Sequence, residues 1–215
     1  MRRYWLLIAT LAVLTCGTVA VLMLRQPSLS IDRLVAAADA GDLDVVTPAI
    51  RRYRAQTDGK PSADLLEAIL LLRGGRLEKS LSLLANVDQE GPLRHLVMRF
   101  AGECLHRLQR LGEAARILEV LVREQPDNVE AHRWLGATWY DLGAYNAAIA
   151  ELEAVTRLAP EDYRPHHLLG IMYADFEQHA ESIREFTAAL KGAQDPALRD
   201  SMLLDRKSTR LNSSH

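Results

Sequence analysis

Apolar positions in the second half of the chain recur with the spacing of amphipathic helices. Leu135, Trp139 and Leu142 fall at i, i+4 and i+7, which places them on one face of a helix. A break follows at Gly143, and a second apolar stripe begins at Tyr145. The pattern predicts two antiparallel helices joined by a short turn.

The same residue sizes return every 34 residues along this part of the chain. Small residues allow two helices to approach closely, large ones fill the space beside that contact, and proline ends the second helix because it lacks an amide donor. One helix pair cannot bury its own apolar face, so neighbouring pairs must stack. The recurring positions are Gly102, Gly136 and Gly170; Leu105, Trp139 and Tyr173; Ala114, Ala148 and Ser182; Leu118, Leu152 and Phe186; and Pro126 and Pro160.

These columns resemble the tetratricopeptide repeat. The chain departs from that family at the fourth place, where tryptophan is replaced by Met98, His132 and His166, and at Gln194, where a closing proline is expected. The resemblance implies an all-α fold, a right-handed superhelical solenoid of antiparallel helix pairs. The period continues upstream, so we expect an array over 31–196 of about five pairs. Their ranges are 27–60, 61–94, 95–128, 129–162 and 163–196.

The N-terminus begins with the basic residues 1–3, followed by 4–24, a stretch of 21 residues without a charge. A helix of that length crosses a hydrocarbon core of ~30 Å. We favour an uncleaved transmembrane helix over a signal peptide cleaved after Ala20, because the apolar run continues to Leu24. Residues 25–30 then form a linker. This predicts a single-pass membrane protein whose repeats lie outside the cytoplasm, periplasmic in a bacterium; the alternative is a secreted protein.

The C-terminal end has two parts. Residues 197–204 are predicted to form a capping helix or the first helix of a further repeat. Residues 205–215 change abruptly to Lys, Arg, Ser, Thr and Asn, and resemble translated sequencing-adapter read-through. We therefore expect a disordered, non-native tail there.

The composition and the motifs exclude several classes of function from what we expect of this protein. The 26 basic and 28 acidic side chains give a net charge of −2 and no basic stripe, which excludes nucleic acid as the expected partner. Phosphate-binding Gly-rich loops, nucleophile elbows and His-Glu-x-x-His helices do not occur in the sequence. We therefore expect a non-catalytic protein without a cofactor.

The histidines suggest a metal site only weakly. His132 and His166 occupy the same repeat position, so stacking brings them near each other. A third ligand at a suitable spacing is missing from the sequence. Ordinary half-buried histidines are the favoured interpretation.

The resemblance also implies a binding groove, because first helices line the concave face in this family. Three of the positions that the resemblance places on this face have cationic side chains, namely Arg99, Arg133 and His167. Such a cationic line could bind acidic side chains or a C-terminal carboxylate. The alternative is a solvated groove without a dedicated ligand. The predicted partner-binding residues are Arg99, Glu103, His106, Arg133, Tyr140, Arg164 and His167.

The expected function is therefore a scaffold that holds protein or peptide partners, in envelope complex assembly or secretion by analogy of layout. A second hypothesis is a structural module that forms homo-oligomers through the helix at 64–73, which is apolar almost all round. That helix is either covered within the chain or exposed for docking. A less favoured third hypothesis is the regulatory part of an enzyme that continues beyond the C-terminus.

Overall fold

The computed structural model describes residues 30–39, 43–56, 60–87, 90–193 and 196–212. Within these ranges all regular secondary structure is helical, which confirms the all-α fold class. The chain divides into two compact units, Met1–Gln89 and Glu90–His215.

Unit 1 contains two described helix pairs. The third helix, α3, packs against the other three helices of the unit. The helices are α1 (Ile31–Asp39), α2 (Leu43–Gln56), α3 (Pro61–Arg73) and α4 (Leu77–Asn86).

The apolar helix predicted at 64–73 is the C-terminal part of α3. It begins three residues earlier than predicted because Pro61, at the first helical position, loses no intrahelical hydrogen bond there. Leu65, Leu66 and Ile69 are 0 % exposed. These side chains are therefore covered within the described chain, as the favoured interpretation expects, and homo-oligomerisation through this helix stays a prediction.

Unit 2 contains three helix pairs and a final helix. Each helix packs against its neighbours along the chain, and α5 also contacts α7. The helices are α5 (Arg94–Arg107), α6 (Leu111–Glu124), α7 (Val129–Asp141), α8 (Tyr145–Leu158), α9 (Tyr163–Asp175), α10 (His179–Gly192) and α11 (Pro196–Asn212).

Small residues create the close contact within each pair, as predicted. A Cβ added at Gly170 would lie 2.7 Å from the Phe186 ring, and one at Gly102 would lie 2.6 Å from Leu118. The hydroxyl of Ser182 also donates to the Gly170 carbonyl oxygen at 2.8 Å. The predicted prolines follow helix ends in the same regular way. Pro126 stands two residues after α6, and Pro160 two residues after α8.

The turns inside the pairs share a left-handed residue. Gln109, Gly143 and Glu177, each 34 residues apart, have φ values of 60°, 75° and 59°. After α7, the Gly143 N–H donates to the Tyr140 carbonyl and the Ala144 N–H to that of Trp139, both at 2.9 Å. This is the hydrogen-bond pattern of a Schellman C-cap, which reverses the chain within three residues.

The predicted single-pass membrane localisation is wrong. Among the residues that the structure describes, every helix is too short or too polar to cross a bilayer. Residues 4–24, on which the anchor or signal peptide was placed, lie outside the described residues, as do residues 1–3 and most of the linker.

The C-terminal prediction is also corrected. The helix predicted at 197–204 is present, but α11 continues to Asn212, so the expected disorder over 205–212 is wrong. Packing explains the difference, because Met202 is 0 % and Thr209 4 % exposed. Thr209 also lies within hydrogen-bond distance of Ser182, at 3.4 Å.

Candidate functional site

Two of the predicted partner-binding side chains are buried. Arg99 is 5 % exposed and Glu103 2 % exposed. The Arg99 guanidinium carbon lies 3.9 Å from the centre of the Phe100 ring, and Glu103 Oε1 lies 3.7 Å from Arg107 Nη1. Both side chains are therefore covered in this structure, and their predicted role in partner binding stays a prediction.

Arg133 and Arg164 belong to a charge-balanced network. Arg133 Nη2 donates to Asp162 Oδ2 at 2.6 Å, and Arg133 also pairs with Glu130. Asp162, the N-cap of α9, accepts a further hydrogen bond from Arg164 Nε at 2.9 Å. Partial burial would raise the pKa of Asp162, but hydrogen bonds from Arg164 and the charge of Arg133 outweigh it, so this pKa is lowered. Two cations thus face two carboxylates, and no excess charge remains for an acidic ligand.

His106 lies in a polar cluster between α5 and α7. Thr138 donates its hydroxyl to the Trp134 carbonyl at 2.6 Å, so at 3.2 Å it accepts from His106 Nδ1. Nε2 of His106 is 3.6 Å from an Asp141 carboxylate oxygen. Burial lowers the pKa of His106, and the Asp141 charge opposes this only in part.

His167, the last member of the predicted cationic line, faces α11. Its Nε2 lies 3.2 Å from Asp205 Oδ2, and its ring centre is 5.9 Å from that of Phe186. An open recess of about 270 Å³ lies beside it and is lined by Ile171, Asp175 and Thr209, among others. The three residues of the line are therefore buried or paired with carboxylates, and they do not form a free cationic surface.

Tyr140 belongs to an exposed cluster of aromatic side chains that the sequence pattern did not predict. Its ring centre lies 5.8 Å from that of Tyr145, which lies 5.5 Å from that of Phe176, both contacts being edge-to-face. Tyr145 is 43 % and Phe176 42 % exposed, and Leu142 beside them is equally exposed. We call these four residues the aromatic edge. The 34-residue step from Leu142 to Phe176 is the sequence signal that could have revealed it.

Comparison with protein families supports the resemblance to the tetratricopeptide repeat. Two family models described as tetratricopeptide repeat match the chain, one over residues 65–129 and the other over 105–171. Together the two matches span residues 65–171, and this part of the chain is similar to tetratricopeptide repeats. In this family such helix pairs form protein-interaction modules, which is the class of function that the matches support.

Solved structures agree with the fold. MamA from Desulfovibrio magneticus RS-1 superposes with a TM-score of 0.60 at 17 % identity, covering 75 % of this chain and 91 % of that one. MamA of AMB-1 superposes with a TM-score of 0.57 at 20 % identity, covering 74 % and 94 %. At these identities the likeness shows the fold alone. No curated protein matches the chain.

The histidines at the fourth place of the tetratricopeptide repeat bind carboxylates. His132 Nδ1 lies 2.6 Å from Glu151 Oε2, and His166 Nδ1 lies 2.7 Å from Glu185 Oε2, so each bond joins the two helices of one repeat. His132 Nε2 also contacts the Pro126 carbonyl oxygen at 2.8 Å. Across the described ranges, His, Cys, Asp and Glu form no group of three or more able to hold a metal ion. These side chains thus replace an apolar contact with a polar one.

Proposed function

We propose that this chain is a non-catalytic scaffold that binds a protein or peptide partner along the first helices of its tetratricopeptide repeats. The observation that carries the proposal is the helix pair repeated at a 34-residue step, matched by the family models over 65–171. Repeats of this kind leave one face of each first helix available to partners. The role in envelope complex assembly or secretion stays a prediction.

The proposed surface in unit 2 uses five of the seven predicted residues. Arg99 and Glu103 are left out because they are buried. The side chain of Arg164 is 57 % exposed, whereas those of Arg133 and His106 are 17 % and 13 % exposed. The residues of the proposed surface are His106, Arg133, Tyr140, Arg164 and His167.

The pairing of charges determines which kind of contact dominates. An acidic ligand would have to displace Asp162 or Glu130 from Arg133, which would leave a partly buried carboxylate without its partner. Contacts to rigid aromatic groups carry no such cost and commonly dominate interface energetics. We therefore assign the larger share of binding to Tyr140, and a positioning role to the Arg133–Asp162 pair.

Site-specific photo-crosslinking in the full chain tests the proposal. A benzoylphenylalanine placed at Tyr140 or at Arg164 is expected to capture a defined partner. The same group at Glu119, an exposed position on the second helix α6, is the matched control and should capture none. Capture that is equal at all three positions would contradict a surface formed by first helices.

A further inference from the structure

The aromatic edge is the most apolar exposed feature at the turns of unit 2. Leu142 is the C-cap of α7, Phe176 the C-cap of α9, and Tyr145 the first residue of α8. Each is at least 42 % exposed, although large apolar side chains are normally covered when they cluster. Such a group of exposed rings therefore indicates a contact surface.

The turns hold these rings in fixed positions. Gly143, with φ 75°, and Glu177, with φ 59°, reverse the chain immediately after Leu142 and Phe176. One edge-to-face contact joins Tyr140 to Tyr145 within the α7–α8 pair at 5.8 Å, and the other joins Tyr145 to Phe176 of the next repeat at 5.5 Å. An open recess of about 450 Å³ lies between the turns, lined by residues 143–147 and Phe176. The rings are thus preorganised, which reduces the entropic cost of binding.

The acidic residues near the aromatic edge favour a cationic ligand. Residues 134–156 and 165–183, which include both turns, contain six Asp or Glu and no Lys or Arg. Asp175 and Glu177 flank Phe176 in the chain, and both are exposed. Neither of them pairs with a cation anywhere in the described parts of the chain. The surface therefore combines exposed aromatic faces with the carboxylates of Asp175 and Glu177, which pair with no cation in the described parts of the chain.

We propose that the aromatic edge binds arginine side chains of a basic segment in a partner protein. A guanidinium is attracted to the faces of aromatic rings and also donates planar hydrogen bonds to carboxylates, so one side chain uses both features of the surface. An ammonium has no plane to stack, and lysine therefore binds less tightly. The aromatic edge shares Tyr140 with the proposed first-helix surface, but this inference is carried by Tyr145 and Phe176, which lie at the turns and outside that surface.

Fluorescence anisotropy with synthetic peptides tests the inference on the full chain. The probes are fluorescein-labelled peptides of alternating Arg and Ala, with Lys, Gln or Glu in place of Arg as comparisons. We expect binding in the order Arg, Lys, Gln, with none for Glu. Affinity for the Arg peptide should fall as salt is raised from about 50 mM to about 500 mM, because exposed charges are screened.

Substitutions locate the binding site. Tyr145→Ala and Phe176→Ala should each weaken binding of the Arg peptide by about fivefold, the size of one exposed cation–π contact. Phe176→Leu should weaken it to a similar extent, whereas Phe176→Tyr should retain it, since only the latter keeps an aromatic face. Glu177→Gln should weaken binding about twofold. Leu158→Ala, at another exposed apolar position, is the matched control and should have no effect.

Three results would overturn the inference. The first is unchanged binding of the Arg peptide to a variant that carries both Tyr145→Ala and Phe176→Ala and retains the wild-type circular dichroism spectrum. The second is equal binding of the Glu peptide. The third is a sedimentation shift from dimer to monomer in that double variant, since a second copy would then cover the edge. Photo-crosslinking at Arg164, which lies outside the aromatic edge, tests the first-helix surface separately, so failure of that surface and failure of this inference are distinguishable.

Discussion

The neighbouring helix pairs α7–α8 and α9–α10 follow one plan with different side chains. In α7–α8 the close contact joins Gly136 to Leu152, and in α9–α10 it joins Gly170 to the Phe186 ring. The turn of the first pair has glycine in the left-handed position, whereas that of the second has Glu177. The comparison shows that the repeat fixes the close contact and the left-handed backbone conformation, but not the side chains that surround them.

The largest expected effect comes from filling the close contact. An added Cβ would lie 2.7 Å from the Phe186 ring at Gly170 but 3.1 Å from Leu152 at Gly136. We expect Gly170→Ala to destabilise the protein by about 2–3 kcal/mol through overpacking. Gly136→Ala should cost at most about 1 kcal/mol, because a small shift of Leu152 and the better helix propensity of alanine offset the crowding. Urea denaturation monitored by the fluorescence of Trp134 and Trp139 measures both.

Equal costs for the two glycine variants would show that the contacts are equivalent, which would contradict the geometric difference between the pairs. Wild-type secondary structure by circular dichroism is the control for intact folding in water.

The second effect concerns the histidines at the fourth place. The His132 ring contacts two groups, the Glu151 carboxylate and the Pro126 carbonyl oxygen. The His166 ring contacts the Glu185 carboxylate through Nδ1. We expect His132→Phe to cost about 2 kcal/mol, because it leaves a carboxylate and a carbonyl oxygen without a donor. His166→Phe should cost about 1 kcal/mol. The same denaturation experiment compares them, and a larger loss for His166→Phe would refute this ranking.

The sequence predicted the repeat and its helices well because size and period are local properties. The two helices expected on either side of the break at Gly143 are observed as α7 and α8, and the small residue at Gly170 lies where the period required it. The site was harder to predict. Arg133 and Asp162 are 29 residues apart, and their pairing depends on stacking of successive repeats. The burial of Arg99 likewise depends on packing, which the family pattern does not report.

A third experiment exchanges the residues at the left-handed turn. Non-glycine residues in this conformation are strained by about 1–2 kcal/mol, part of which glycine recovers. We expect Glu177→Gly to stabilise the protein by about 0.5–1 kcal/mol, and Gly143→Ala to destabilise it by about 1 kcal/mol. Thermal unfolding by circular dichroism should show opposite shifts of Tm. Shifts of the same sign would mean that the two turns differ in conformation.

The smallest effect is a pH dependence specific to α9–α10. Burial would raise the pKa of Glu185, but the hydrogen bond and charge of His166, assisted by Arg184, outweigh it, so the pKa lies below its usual value of 4.5. A carboxyl with a lowered pKa stabilises the folded state above its usual pKa, and this contribution is lost as pH falls through the folded value. Glu185→Gln should therefore reduce the loss of stability on acidification below about pH 4.5. Urea midpoints measured at several pH values test this prediction. A loss of stability at low pH as large in Glu185→Gln as in the wild type would contradict it.

The packing order within unit 2 has a consequence for folding and its control. Each helix touches chiefly the helices one or two places along the chain, so native contacts join residues that are near in sequence. Such low contact order favours rapid folding and permits one repeat at the end to open while the rest stay intact. A partner that spans two adjacent repeats would therefore slow this local opening. Its binding would be detected as slower amide hydrogen exchange in α9 and α10, even without a change of conformation.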